Sequence, residues 1–261
     1  MKSDNGASSP ASQLPKDIDL KQTALLLDVD GTLLDIAATP DSVVVPPCLR
    51  SSLSTLLRLC DGALALVSGR TITQLDEFFA PVQTPAVGSH GAEIRLSPGG
   101  PILERVAIPM SASLRRALHQ LAAIDPRLIV EDKDYSIAVH WRLAPEREAF
   151  LRKEIAAAVR RCGDDNLELL GGKAVLEVKS RQVSKGLAVA ELMAEPPFAG
   201  RRPFFIGDDI TDESVFAVLP DFDGFGYSVG KPIKGACGLI QSPREVRSWL
   251  ASLAAQGGQT Q

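Results

Sequence analysis

Cysteine is scarce in this 261-residue chain, and Cys48, Cys60, Cys162 and Cys237 stand too far apart to form a C-x-x-C pair. That disfavours a zinc site and a disulfide framework, and it fits a reducing compartment. Histidine is scarcer still: His90, His119 and His140 include no H-E-x-x-H, which argues against a zinc hydrolase. Long apolar runs are missing. Ala24–Leu27 and Ala63–Val67 are strand-sized, against the roughly 20 residues that a membrane-spanning helix needs. There is no excess of positive charge either, since 28 lysines and arginines face 32 acidic residues for a net charge of −4. Such a balance suits neither nonspecific nucleic-acid binding nor an anionic membrane surface. An anionic substrate would have to be drawn by a few placed cations or by a metal. Residues Met1 to Lys16 are polar and carry no apolar core, so they do not form a secretory signal. Residues 1–20 therefore read as a flexible leader on a cytoplasmic enzyme.

What is present is ordinary globular material, 45% hydrophobic and 23% charged. A chain of this length buries roughly 70–75% of its unfolded surface and folds without a staple. Short apolar runs alternate with helical spacings. Thr23–Leu27, Ala63–Val67, Pro203–Ile206 and Phe225–Val229 read as strands. Leu49–Leu57, Thr71–Phe79, Thr211–Leu219 and Ser242–Leu253 read as helices. Thr71 with Gln74 makes a capping box. The alternation predicts an α/β fold with a doubly wound parallel sheet covered on both faces. The middle differs. Between Pro109 and Lys179 the order is helix, strand, strand, twice over: Ser111–Ala123, Leu128–Glu131, Ser136–Arg142, then Pro145–Arg161, Leu167–Leu170, Ala174–Val178. The expected organisation is a core of residues 21–108 and 180–261 interrupted by an α+β insert at 109–179.

Three polar clusters follow three of these buried strands. They are Asp28-Val29-Asp30-Gly31-Thr32, Ser68-Gly69-Arg70 and Gly207-Asp208-Asp209. In an open parallel sheet, ligands bind beyond the carboxyl ends of the strands, so the clusters converge on one crevice. Crowded carboxylates repel one another and make sense around a hard cation such as Mg²⁺. Ser68 and backbone amides near helix starts suit phosphate oxygens, and Lys185, after Ser184, adds positive charge. Taken singly, each cluster has a plain structural reading. A D-x-D turn is usually a cap, Ser-Gly-Arg a turn, and Asp208, Asp209, Asp212 and Glu213 a favourable helix start. Their joint occurrence in this order is what points to function. His90 reads equally well as a packed turn residue, Trp141 as core, and Cys48 and Cys60 as packing residues in a helical region.

The runs D-V-D-G-T-L, S-G-R, S-K-G and G-D-D-I-T-D-E, in that order, resemble the four motifs of the haloacid dehalogenase superfamily, in its Mg²⁺-dependent aspartyl phosphatases. The likeness spans about Ala24 to Leu253, and the insert is similar to the cap of its sugar phosphatases. Gly88-Ser89-His90-Gly91-Ala92-Glu93, Val130-Glu131-Asp132-Lys133, His140-Trp141-Arg142 and Gly172-Lys173 through Glu177-Val178-Lys179 narrow the likeness to the trehalose-6-phosphate phosphatases. That resemblance implies Asp28 as nucleophile and Asp30 as the acid and base. It implies Ser68 and Lys185 as partners of the phosphoryl oxygens. Mg²⁺ would be held by Asp28, the backbone carbonyl of Asp30 and Asp208, with Asp209 and Asp212 supporting the metal's surroundings or orienting Lys185. Arg70, Glu131, Lys133, Arg142, Lys173 and Glu177 would contact a small sugar phosphate. Two alternatives stand beside this reading: a phosphatase of another phosphosugar such as sucrose phosphate, and a phosphoryl-accepting regulatory module. The second needs neither Asp30 nor a large insert.

Overall fold

The structure is a computed structural model and describes residues 14–15, 18–36, 43–104, 110–133, 136–172 and 174–257. In chain order its main elements are β1 (Thr23–Leu27), α1 (Pro47–Leu59), β2 (Leu64–Val67), α2 (Ile72–Phe79), β3 (Ala86–Gly88), β4 (Glu93–Arg95) and β5 (Leu103–Glu104). Next come α3 (Ala112–Ala122), β6 (Ile129–Lys133), β7 (Ser136–His140), α4 (Glu148–Cys162), β8 (Leu167–Gly172) and β9 (Val175–Ser180). The chain ends through α5 (Lys185–Ala194), β10 (Arg202–Gly207), α6 (Glu213–Val218), β11 (Phe225–Val229), β12 (Gly238–Ile240) and α7 (Pro243–Gly257). Two compact units result, Met1–Glu104 with Ser184–Gln261, and Arg105–Val183. The joint expected at residues 108 and 109 lies outside the described residues.

The first unit is an α/β fold around an eight-stranded sheet in the order β12-β11-β10-β1-β2-β3-β4-β5. Strands β12 through β3 run parallel. Every residue of β1, Thr-Ala-Leu-Leu-Leu, is buried, as a central parallel strand covered on both faces requires. Burying each of its leucines contributes roughly 1.5–3 kcal/mol over leaving it exposed. From β1 the chain winds outward through β2 and β3; it later returns to the other side of β1 and winds out through β10, β11 and β12. The reversal lies between β1 and β10, whose carboxyl ends flank the switch-point crevice.

An antiparallel edge, β4 and β5, extends the expected parallel sheet. These strands are too short to carry a readable period. The buried Arg95 secures the edge instead: it donates to both oxygens of the half-buried Asp76 at 2.7 and 2.6 Å, and to the Thr84 carbonyl. Two other expectations change. Cys60 is buried and its thiol is pushed up to about 12 by that burial, but Cys48, expected to pack likewise, is exposed. Residues 1–13 and 16–17 lie outside the described residues, whereas Leu14, Ile18 and Leu20 pack on the core and the Pro15 carbonyl accepts from Trp249 at 2.8 Å. The end of the leader is therefore docked.

The second unit is a four-stranded antiparallel sheet, β6-β7-β9-β8, with α3 and α4 sharing its core. Alternation divides its strands cleanly. Ile137, Val139, Leu176 and Val178 join Leu114, Leu118, Leu151, Ile155 and Trp141 in that core. Glu131, Ala138 and Glu177 lie in one cross-strand row on the other face, because Ala138 pairs with both glutamates. The helix expected from Pro145 starts as a 3₁₀ turn, Pro145–Arg147, and α4 closes on left-handed Gly163.

Candidate active site

Strand order decides what meets in the crevice. Leu27 pairs with Ile206, and the Asp28 N–H donates to the Ile206 carbonyl at 2.9 Å, so Asp28 lies beside the Gly207-Asp208 turn. Ser184 caps α5 by accepting from the Leu187 N–H at 3.2 Å, which sets Lys185 at the first helical position. The Lys185 ammonium, 3% exposed, donates to Asp28 Oδ1 and to Asp212 Oδ1, each at 2.7 Å. Asp212 is fully buried, and its Oδ2 accepts from the backbone N–H groups of Asp208 and Asp209 at 2.9 and 3.0 Å. Both Asp212 oxygens are thereby engaged within the chain. Asp212 is a strut between the last acidic turn and Lys185.

Asp28, Asp208 and Asp212 bring carboxylate oxygens within 4.8 Å of one another. Burial pushes Asp28 well above the usual carboxylate range, with Lys185 opposing and Asp212 and Asp208 adding to the rise. Burial, with Asp212 and Asp209, holds Asp208 up to about 6. Burial works against the Lys185 ammonium, yet Asp212 and Asp28 outweigh it and keep that group above an ordinary lysine. Among the described residues, two buried carboxylate oxygens of this centre, Asp28 Oδ2 and Asp208 Oδ1, have no hydrogen-bond partner. Unbonded, crowded carboxylate oxygens are costly to bury and form a hard, anionic donor set that fits a divalent cation.

Beside this centre, Ser68 follows β2 directly and is 1% exposed; its Oγ accepts from the Arg70 N–H at 3.1 Å. Arg70 reaches Asp30 with two hydrogen bonds, at 2.6 and 2.7 Å. Asp209 stands apart: it is half exposed and pairs with Lys231 at 3.4 Å.

The trehalose-phosphatase family model matches residues 26–237. A probable trehalose-phosphate phosphatase of Sinorhizobium fredii is 41% identical over 238 residues, covering 90% of this chain and 89% of the relative. The chain belongs to the trehalose-phosphatase family. The trehalose-6-phosphate phosphatase of Escherichia coli is 38% identical over 227 residues, covering 87% of this chain and 85% of that one. A crystal structure of a trehalose-6-phosphate phosphatase related protein aligns with a TM-score of 0.71 at 25% identity, covering 91% and 99% of the two chains. The first unit has the haloacid dehalogenase-like fold, and trehalose-phosphatases are phosphoric monoester hydrolases.

The structure joins Asp28, Lys185, Asp208 and Asp212 in one centre and Asp30 with Arg70 in a pair beside the Ser68 turn. Glu131 and Glu177 share a face of the second unit, Lys133 ends β6, and Arg142 is exposed in the turn after β7. Lys173 lies outside the described residues. Sequence reasoning assigned no role to Gly31 or Glu93. Gly31 adopts φ +85°, and a Cβ there would lie 2.1 Å from Asp208 Oδ2, so only glycine lets that carboxylate approach the first motif. The sign was available in the D-x-D-G run, where glycine follows the second carboxylate. Gly31→Ala should weaken divalent-cation binding by about tenfold or more, because Asp208 must retreat, and should cost about 1–2 kcal/mol of stability. Cation titrations and urea melts check both figures; unchanged cation affinity would separate Gly31 from the centre.

Proposed function

We propose that the chain hydrolyses trehalose 6-phosphate to trehalose and phosphate through an aspartyl-phosphate, with Mg²⁺ as cofactor. The observation that carries this reading is a buried carboxylate at the switch point, Asp28, with one oxygen held by Lys185 and the other without a hydrogen-bond partner among the described residues. Family membership and the names of the relatives supply the substrate. Asp28 attacks phosphorus as the bond to the sugar oxygen breaks, and Asp30 gives its proton to that departing oxygen. Asp30 then takes a proton from water as the water attacks the aspartyl-phosphate, releasing phosphate and restoring Asp28. A sugar alkoxide is a poor leaving group, which is why the second carboxylate is required. Lys185 and the Ser68 hydroxyl neutralise phosphoryl oxygens where transition-state charge gathers. Asp28, Asp208 and the backbone carbonyl of Asp30 would hold Mg²⁺, with Asp209 and Asp212 as support. The ion, when bound, balances the carboxylates and polarises the phosphoryl group. Glu131, Lys133, Arg142, Lys173 and Glu177, all of the inserted unit, read the sugar. Phosphate release across a panel of sugar phosphates, with Mg²⁺ and with EDTA, tests the whole reading; full activity in EDTA or no preference for trehalose 6-phosphate would sink it.

The metal carries its own pH signature. Asp208 has a folded-state value of about 6, above the ordinary 3.8. Its contribution to the stability of the metal-free fold is therefore fully present below 3.8 and is lost as pH rises through about 6. A cation must displace that proton, so apparent affinity for Mg²⁺ should fall by about tenfold per pH unit below 6, and Mg²⁺ should raise Tm most at pH 7–8. Calorimetric titrations from pH 5 to 8 measure this, and a flat profile would contradict it.

The sugar-reading residues are tested separately. Truncating Glu177 or Lys133 should lower kcat/KM for trehalose 6-phosphate by about ten- to a hundredfold, since a buried unpaired partner costs roughly 1–3 kcal/mol. Hydrolysis of 4-nitrophenyl phosphate should change much less. Equal losses on both substrates would assign these residues to folding.

A further inference from the structure

We propose that Arg70 is a positioning residue for Asp30, holding the acid–base carboxylate in direction through a clamp built by the strained turn after β3. The inference rests on the reading of Asp30 as proton donor and acceptor. Arg70 Nε donates to Asp30 Oδ2 at 2.6 Å and Nη2 to Oδ1 at 2.7 Å. A bidentate fork fixes both the direction and the plane of a carboxylate, while each oxygen keeps a further lone pair for a proton. The fork itself is held. Its guanidinium sits 4.4 Å above the Phe78 ring and its side chain is only 12% exposed.

The backbone of Arg70 is fixed as well. Its N–H donates to Ser68 Oγ, and its carbonyl accepts from the Ser89 N–H at 2.7 Å. The His90 N–H donates to the Ser68 carbonyl at 3.0 Å. Ser89 and His90 both occupy the left-handed region, at φ 48° and 55°, an arrangement that non-glycine residues adopt only where surrounding structure imposes it. Glu93 braces the turn: Oε1 accepts from Ser89 Oγ at 2.8 Å, and Oε2 from the Ile72 N–H at 2.6 Å. Ile72 opens α2, the helix that carries Phe78, so the chain of contacts closes on itself. The G-S-H-G-A-E run thus supports the Ser68-Gly69-Arg70 turn, and through it Asp30.

Leaving-group dependence of kcat/KM tests the assignment, because that ratio reports the steps through loss of the leaving group, where a residue acting through Asp30 matters most when the departing oxygen needs a proton. Purified full-length Arg70→Ala, Arg70→Lys, Glu93→Gln, Asp30→Asn and the Arg70→Ala/Asp30→Asn double variant are assayed on trehalose 6-phosphate and on 4-nitrophenyl phosphate. Melting curves confirm that each is folded. Arg70→Ala should lower kcat/KM about thirtyfold on the sugar ester and less than threefold on the aryl ester. Arg70→Lys should recover little, since an ammonium cannot form the fork. Glu93→Gln should show the same preference at smaller size, and the double variant should be no worse than Asp30→Asn alone. Losses that multiply in the double variant would overturn the inference and make Arg70 a substrate contact, and equal losses on both substrates for Arg70→Ala would overturn it and assign Arg70 to the phosphate site or the fold. Absence of leaving-group discrimination in both Asp30→Asn and Arg70→Ala would overturn the reading of Asp30 and the inference with it. Discrimination in Asp30→Asn alone overturns the inference and leaves that reading standing.

Discussion

Asp28→Asn should lower turnover by about 10⁴-fold or more while leaving the metal-free fold as stable as the parent, or more stable. An amide oxygen attacks phosphorus poorly, so the chemical step loses its nucleophile. The stability follows from the surroundings of Asp28. It is buried, crowded by Asp212 and Asp208, and held well above the usual carboxylate range by that burial, with only Lys185 opposing. Asparagine keeps an oxygen that can accept from Lys185 at the site where Oδ1 now accepts at 2.7 Å, and it removes one charge from a cluster with an excess of them. Thermal melting in EDTA and steady-state turnover of trehalose 6-phosphate measure the two effects. Turnover within tenfold of the parent would remove Asp28 from the nucleophile's role. A large fall in melting temperature would mean that the carboxylate is a structural partner of Lys185 first.

Lys185→Met should do the opposite to stability. The ammonium is the shared partner of Asp28 and Asp212, both almost wholly buried. Removing one member of a buried ionic cluster strands the others, a loss of about 3–5 kcal/mol. The sign with pH is set by the carboxyls left behind. Asp208 already titrates near 6 and Asp28 lies well above its ordinary value, so without Lys185 the fold is favoured by protons. The destabilisation should therefore be smallest near pH 5 and grow as pH rises through 6 toward 8. Turnover should be lost at every pH, because no cation from the chain remains at the phosphoryl oxygens. Lys185→Met combined with Asp212→Asn should regain part of the stability and none of the turnover. Urea melts at pH 5 and 8 settle the matter; equal destabilisation at both would show that packing, and not charge, is what Lys185 supplies.

Much of this protein is written locally. The all-apolar Thr23–Leu27 run can only be a strand covered on both faces, and the Thr71–Gln74 capping box opens α2 where it was expected. The doubled helix-strand-strand order marked the insert, and the acidic, serine and lysine runs stood where buried strands and helix starts place them. Short-range chemistry of caps, turns and alternation is visible in any window of a few residues. Strand order is not. Lys185 meets Asp28 across 157 positions, and Arg70 meets Asp30 across 40, because the sheet reverses between β1 and β10 and sets β2 beside β1. Tertiary structure alone therefore turned Arg70 toward Asp30, engaged both oxygens of Asp212 while leaving one of Asp208 unbonded, and left Asp209 at the rim with Lys231. It also decided why Gly31 must be glycine and what Glu93 holds. Those facts depend on how closely distant backbones approach, a distance that packing sets and residue spacing along the chain does not encode.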